Sequence, residues 1–329
     1  MKRFIWILLV LIAWEIVFYS VSLAEEGKWI KKADMLTPRY VFTTSVVDGK
    51  IYAIGGWPNL TTVEMYNPIT DKWVKRADMP TGRSYIASAV ANGKIYVIGG
   101  DDENNGILYK TVEEYDPIKD KWTKKADMPL QISGPCAGSV NGKIYSIGGW
   151  NGAPIKDVYE YDPVADNWAQ KSDMPTPRSY FAVGVANSKI YAIGGDRGGI
   201  TFTVNLEEYD PVADKWAKKA DMPVGRLCLS ACVANNKIYA MGSGTLGNDS
   251  MADVMVYDLI EDKWAIGVKM STPRAGHSSS VVDGKIYAIG GINNSIALSS
   301  IEEYVTKSEN INVEVKGKLT TTWGEFKSR

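Results

Sequence analysis

Tryptophan recurs at Trp29, Trp73, Trp122, Trp168, Trp216 and Trp264, at spacings of 44 to 49 residues, and two other features keep the same step. Glycine pairs stand at Gly55-Gly56, Gly99-Gly100, Gly148-Gly149, Gly194-Gly195 and Gly290-Gly291, with Gly242-Ser243 in the remaining slot. Tyrosines stand at Tyr66, Tyr115, Tyr161, Tyr209, Tyr257 and Tyr304. A period in this range means that the chain repeats one supersecondary unit, too thin to bury both its faces alone, so the units must stack on one another.

The second unit shows what each stretch does. Ser84 to Ala91 and Lys94 to Gly100 are β-rich runs joined by Asn92-Gly93. The equivalent turns are Asp48-Gly49, Asn141-Gly142, Asn187-Ser188, Asn235-Asn236 and Asp283-Gly284, residues that accept the positive φ of a two-residue hairpin. A third strand over Thr111 to Tyr115 meets a fourth over Lys121 to Lys125 through Asp116-Pro117-Ile118-Lys119-Asp120, where proline fixes φ and the aspartate caps the turn. Each unit is therefore four short antiparallel strands. The Gly-Gly pair lets backbones approach where the sheet bends, and Tyr and Trp fill the space between sheets.

Gly-Gly ending the second strand, Tyr in the third, Trp six or seven residues later and Met-Pro-x-x-Arg leading into the next unit together resemble the kelch family. The resemblance covers residues 28 to 304. It implies an all-β fold, a six-bladed kelch β-propeller. The phase of the repeats adds the closure: the chain begins at a fourth strand carrying Trp29 and its last repeat ends on a third strand at Tyr304, so the N-terminal strand is expected to complete the last blade. That leaves no open sheet array at either end. The propeller is assigned to residues 25–305.

Outside it, residues 1–24 open with Lys2 and Arg3, run apolar, and end in Ser22-Leu23-Ala24, the pattern of a signal peptide cleaved before Glu25. Uncleaved, the segment is an anchor with Glu15 near its middle. Either way the propeller is expected outside the cytoplasm, secreted, periplasmic or on the cell surface, and a membrane is a partner only if the segment is retained. Residues 306–329 form a C-terminal tail without the repeat signature. With 37 basic against 38 acidic side chains there is no global field to attract nucleic acid.

A single histidine removes mechanisms that need two, including most zinc, copper and non-haem iron sites. No metal and no cofactor is expected. Asp101 to Gly106 begins like a calcium loop, but the closing acid, Glu113, falls one place too late. Cys228 and Cys232 lie four residues apart on one strand, roughly 13 Å at about 3.3 Å per residue, and cannot bridge. With Cys136 two blades away, three free thiols are expected.

Function in a propeller sits in the variable loops around its central channel. By resemblance, kelch domains bind partners through residues directly after the Gly-Gly pair and just after the Arg. The first set is Trp57, Asp101, Trp150, Asp196, Gly244 and Ile292, with Asn151 and Arg197 adjacent. The second is Tyr40, Ser84, Tyr85, Ser179, Tyr180, Leu227 and, slightly later, His277. Trp57 and Trp150 alternate with Asp101 and Asp196, so one mouth would offer flat apolar faces separated by carboxylates, suited to sugar rings or to a protein partner. Recurrence of Arg39, Arg83, Arg178, Arg226 and Arg274, with Ile132 in the sixth slot, is read as hydrogen bonding at blade junctions, with a ring converging on an anionic ligand as the alternative.

No nucleophile motif, metal cluster or phosphate loop is present. The expected function is a non-catalytic, monomeric, extracytoplasmic binding module for a glycan or a protein. The alternative is a metal-independent sugar epimerase or mutarotase similar to the N-acetylneuraminate epimerases, with Asp101, Glu103, Asp196, Arg197 and the arginines as its acids and bases. Architecturally similar copper oxidases are excluded, because their site needs two histidines.

Overall fold

The computed structural model describes residues 27–102, 105–199, 202–244 and 249–305, and these build six four-stranded antiparallel sheets, with no helix among the described residues. The innermost strands are Thr43–Val47, Ala87–Ala91, Cys136–Val140, Ala182–Ala186, Ser230–Ala234 and Ser278–Val282. Each packs against the next, and the sixth returns to the first, so the sheets close into a six-bladed propeller around a central channel. Lys28–Lys31 pairs with Ile301–Val305 as the outer strand of the last blade, with Trp29 opposite Tyr304. The N-terminal strand thus completes the ring, as the phase of the repeats requires. The segments 1–24 and 306–329 lie outside the described residues, apart from which no helix is long and apolar enough to cross a membrane.

The turn chemistry matches the residues chosen for it. Asp48 and Gly49 have φ of 49° and 68°, Asn92 and Gly93 52° and 71°, and the four equivalent turns are also left-handed at both central residues. That twist suits two-residue hairpins. At the outer hairpin, Asp116 Oδ1 accepts the N–H groups of Ile118 and Lys119, and Asp162, Asp210 and Asp258 do the same in their blades.

Blades are clipped together at their outer edge. Each repeat Trp lies across from its Tyr, with ring centroids 4.9–5.2 Å apart. The Tyr hydroxyl donates to a second turn aspartate five residues on: Tyr66 to Asp71 at 2.6 Å, and likewise Tyr257 to Asp262. The same carboxylate accepts a backbone N–H from the linker before the blade, Ala33 for Asp71 and Ala220 for Asp262, while the Trp indole donates to that residue's carbonyl. Asp120, Asp166 and Asp214 repeat the clip. In the closing blade Gly27 packs so tightly on Tyr304 that a Cβ would lie 2.4 Å from its ring.

Candidate functional site

The first strand of each blade begins later than its β-rich sequence suggests. Ser84 pairs only in an isolated bridge, and Tyr85 turns left-handed before the ladder starts at Ala87. The equivalent residues Val41, Gly134, Tyr180, Cys228 and Gly276 share this conformation, with φ between 48° and 55°. The kink turns the backbone across the channel mouth, where neighbouring blades bond to one another. Val41 N–H donates to Gly276 O, Tyr85 to Val41, Gly134 to Tyr85, Cys228 to Tyr180 and Gly276 to Cys228, at 2.7–2.9 Å.

Behind this circlet lie the arginines. Arg39, Arg83, Arg178 and Arg274 are fully buried and Arg226 nearly so. In each, Nη1 donates to the carbonyl of the first residue of its blade's Gly-Gly slot, as Arg83 does to Gly99 at 2.6 Å, and to a carbonyl just before the third strand, here Thr111 at 2.9 Å. The arginine's own carbonyl accepts the second N–H of the Gly-Gly slot of the preceding blade. One residue thus ties two blades. In four of them Nη2 also meets a buried carboxylate: Glu64, Glu113, Glu207 or Glu302. The third blade replaces the pair by Ile132 and Tyr159, and there the ladder runs on to Trp150 and Pro154. The fifth keeps Arg226 opposite Met255, with Asp253 as the charge that supports it. These arginines serve the blade junctions through Nη1 and Nη2, and each leaves its buried Nε without a hydrogen-bond partner.

The two candidate sets meet on one rim. Tyr40 bridges Trp57, Ser84 bridges Asp101, Ser133 bridges Trp150, Ser179 bridges Asp196 and Ala275 bridges Ile292, while Gly244 N–H donates to Leu227. Trp57 and Tyr40 are half-buried; Trp150, at 36% exposure, and Arg197 are open. No ring pair among the described residues joins Trp57 to Trp150, so each is a separate face. Asp101 is held by Ser84 Oγ (2.9 Å) and Ser133 Oγ, and burial raises its pKa against the opposing effect of those two bonds. Asp196 accepts the Gly198 N–H. Asp101 and Asp102 pair with Leu108 and Ile107 as a small hairpin, Glu103 lies outside the described residues, and among those described no group of three or more His, Cys, Asp or Glu side chains is placed to hold a metal.

His277, which the sequence places on the rim or in the core, takes the buried position at the cavity's edge. It occupies the slot that Phe42, Ile86, Pro135, Phe181 and Leu229 fill in the other units, and is only 5% exposed beneath the Gly-Gly pair. Burial, aided by the charge of Arg274, pushes its pKa down to about 3. Its Nε2 lies 2.7 Å from Ser230 Oγ, and its Nδ1 has no partner. The contact has the form of a nucleophile and base, but an imidazole this acidic is a poor proton acceptor, and nothing orients its far nitrogen.

Inside the circlet the channel opens into a cavity of about 290 Å³. Tyr85 and Tyr180 meet edge to face at its mouth, ring centroids 5.5 Å apart, over the bare Gly134. Thr43, Thr44, Ser88, Ser278 and Ser279 contribute hydroxyls, and Cys136, Ala137, Ala182, Val183 and Ala231 apolar surface. No lysine, arginine, aspartate or glutamate lines it among the described residues. All three cysteines are free, and burial pushes each thiol up to about 12. The hydroxyl wall escaped the sequence reading. Its signal was the Ser and Thr clustering at Thr43-Thr44-Ser45 and Ser278-Ser279-Ser280 in the innermost strands of the first and sixth units, to which the second adds Ser88 alone.

The comparisons agree with this geometry. A family model described as the KLHDC2/KLHL20/DRC7 Kelch-repeats domain matches residues 134–320, and the Kelch motif matches 38–80 and 82–129. No curated protein matches the sequence. Among solved structures, one titled "Structure of YjhT" is similar with a TM-score of 0.75 and 21% identity, covering 84% of this chain and 97% of that one. At that identity the likeness extends to the fold alone. With more than half of its length matched by a kelch model and six kelch blades in its structure, the chain belongs to the kelch-repeat family.

Proposed function

We propose that this protein is a non-catalytic binding module that works outside the cytoplasm and recognises a glycan or a protein at the propeller mouth. The observation that carries this reading is the neutral cavity. It combines an aromatic pair with hydroxyls at the lower end of the usual size range for ligand sites, about 300–1,000 Å³, and it has no charged side chain among the described residues. A sugar epimerase needs an acid and a base within reach of the reacting carbon. Here the five junction arginines are engaged by carbonyls and four of them also by glutamates, Asp101 is held by two serines, His277 stays neutral, and Asp196 and Arg197 do not line the cavity. Trp57 and Trp150 extend the surface outward.

The test is a glycan array together with capture of extracted surface proteins, run on residues 25–329 and on the Trp57→Ala, Trp150→Ala double variant. Binding that the double variant weakens supports the reading. Absence of any bound glycan or protein overturns it, and so does accelerated anomerisation of sialic acid measured by NMR.

A further inference from the structure

The channel wall is not uniform around its circumference. The innermost strands follow one another in blade order, which sets the sixth, first and second blades side by side and opposite the third, fourth and fifth. The first group carries two hydroxyl clusters. Thr44 Oγ1 lies 2.7 Å from Ser278 Oγ and accepts from Ser280 Oγ at 2.9 Å; Ser88 Oγ lies 2.6 Å from Thr43 Oγ1 and 2.8 Å from Ser45 Oγ. The second group presents Cys136, Ala137, Ala182, Val183 and Ala231, with Tyr180 above them, and the hydroxyl of its lining serine, Ser230, is taken up by His277 Nε2. One side of the cavity is therefore a hydrogen-bonding wall and the other an apolar one.

We infer that this amphipathic mouth is a subsite for one neutral pyranose unit, an inference that rests on the binding-module reading and names its ligand. A pyranose has a C–H face and an edge of hydroxyls. Its C–H face suits the Tyr85–Tyr180 corner and the Ala182–Val183 wall, and its hydroxyls suit Thr43, Thr44, Ser88 and Ser278. Each Ser or Thr hydroxyl has one donor and two acceptor positions. In the Thr43–Ser88–Ser45 cluster three hydroxyl hydrogens serve two internal bonds, so the cluster can both donate and accept outward. An anionic sugar finds no cation on this wall among the described residues, and burying its charge there without a partner is costly. A purely apolar side chain would cover the hydroxyls without satisfying them.

Calorimetric titration of the full chain with methyl glucoside, galactoside, mannoside and N-acetylglucosaminide, each beside glucuronate, galacturonate and sialic acid, tests the inference. The expected result is binding of at least one neutral glycoside, about tenfold or more above every acidic sugar. Thr44→Val, which keeps the branched shape, and Tyr180→Ala should each weaken it by about tenfold, the loss of one hydrogen bond or one ring contact, with melting curves showing both variants folded. Ser88→Ala serves if Thr44→Val fails to fold. Tighter binding of an acidic sugar overturns the inference, as does a folded Thr44→Val and Ser88→Ala series that binds like the parent. If no sugar binds but a surface protein is captured through Trp57 and Trp150, the inference fails and the binding-module reading stands. If nothing binds, both fail.

Discussion

His277 is the single histidine of the chain, which makes one window of the pH–stability curve attributable to one side chain. In the folded state burial, aided by Arg274, holds its pKa down at about 3; in the unfolded chain the imidazole titrates near 6.5. Because the folded value lies below the unfolded one, the unfolded state binds more protons everywhere between them. Acidification through that window therefore removes stability, and the loss begins as pH falls below about 6.5. Between about pH 7 and about pH 5 the linkage relation gives a loss of about 2 kcal/mol, before the ordinary carboxylates begin to titrate. Urea unfolding at both pH values, followed by tryptophan fluorescence and circular dichroism, measures it. His277→Phe is the control, because phenylalanine fills the equivalent slot at Phe42 and Phe181. It removes the unpartnered Nδ1 and should flatten the curve in this window while leaving Ser230 without its partner. A parent protein equally stable at both pH values, or a variant that loses as much as the parent, would contradict a buried neutral imidazole, because either result means that the folded imidazole reaches water or a carboxylate.

Three other perturbations follow from the same structure. Arg83→Met and Glu113→Met should each cost about 3–5 kcal/mol, because each leaves the other charge buried and the second blade has Thr111 where the fifth has the supporting Asp253; in a denaturation double-mutant cycle the two should couple by about 1–3 kcal/mol, and strict additivity would show that no clasp exists. The Tyr257 hydroxyl, then the Ala220 N–H, lower the pKa of Asp262, so its stabilising contribution is present at neutral pH and disappears as pH falls through the carboxylate range; acid titration of Asp262→Asn should show a shallower loss than the parent, and superimposable curves would count against the clip. Cys228 has φ of 49°, where two of the six equivalent residues are already glycine, so Cys228→Gly should stabilise the fold by about 1 kcal/mol through relief of the left-handed strain; a lower melting temperature would contradict that.

Much of the propeller was legible because its local chemistry is repeated and strict. Asn-Gly and Asp-Gly announce left-handed turns, and the phase between Trp29 and Tyr304 announces the closure. The kink at the mouth was not legible, because Val41, Tyr85, Tyr180 and Cys228 carry no preference for positive φ and only Gly134 and Gly276 hinted at it. The recurrence of the arginines marks them as junction residues, but their glutamate partners carry no such mark: a glutamate alternating along a third strand looks like solvent face. The signal was the joint replacement of both members by Ile132 and Tyr159 in one unit. Trp57, Asp101, Trp150 and Asp196 do share one rim with Tyr40, Tyr85 and Tyr180. What lies beneath that rim depends on which side chains converge across six sheets, and a period along the chain does not encode convergence across it.

The cavity proposed as the binding site takes its ligand through neutral groups that do not titrate. The most direct test of this is the affinity of the tightest neutral glycoside or captured partner, measured from about pH 5 to about pH 9 and from about 50 to about 500 mM NaCl. With His277 held down at about 3 and the thiols up at about 12, a neutral mouth predicts a dissociation constant that stays within about twofold throughout. A bell-shaped pH profile, or an affinity that falls by about tenfold across the salt series, would contradict it by placing an ionised group in the site.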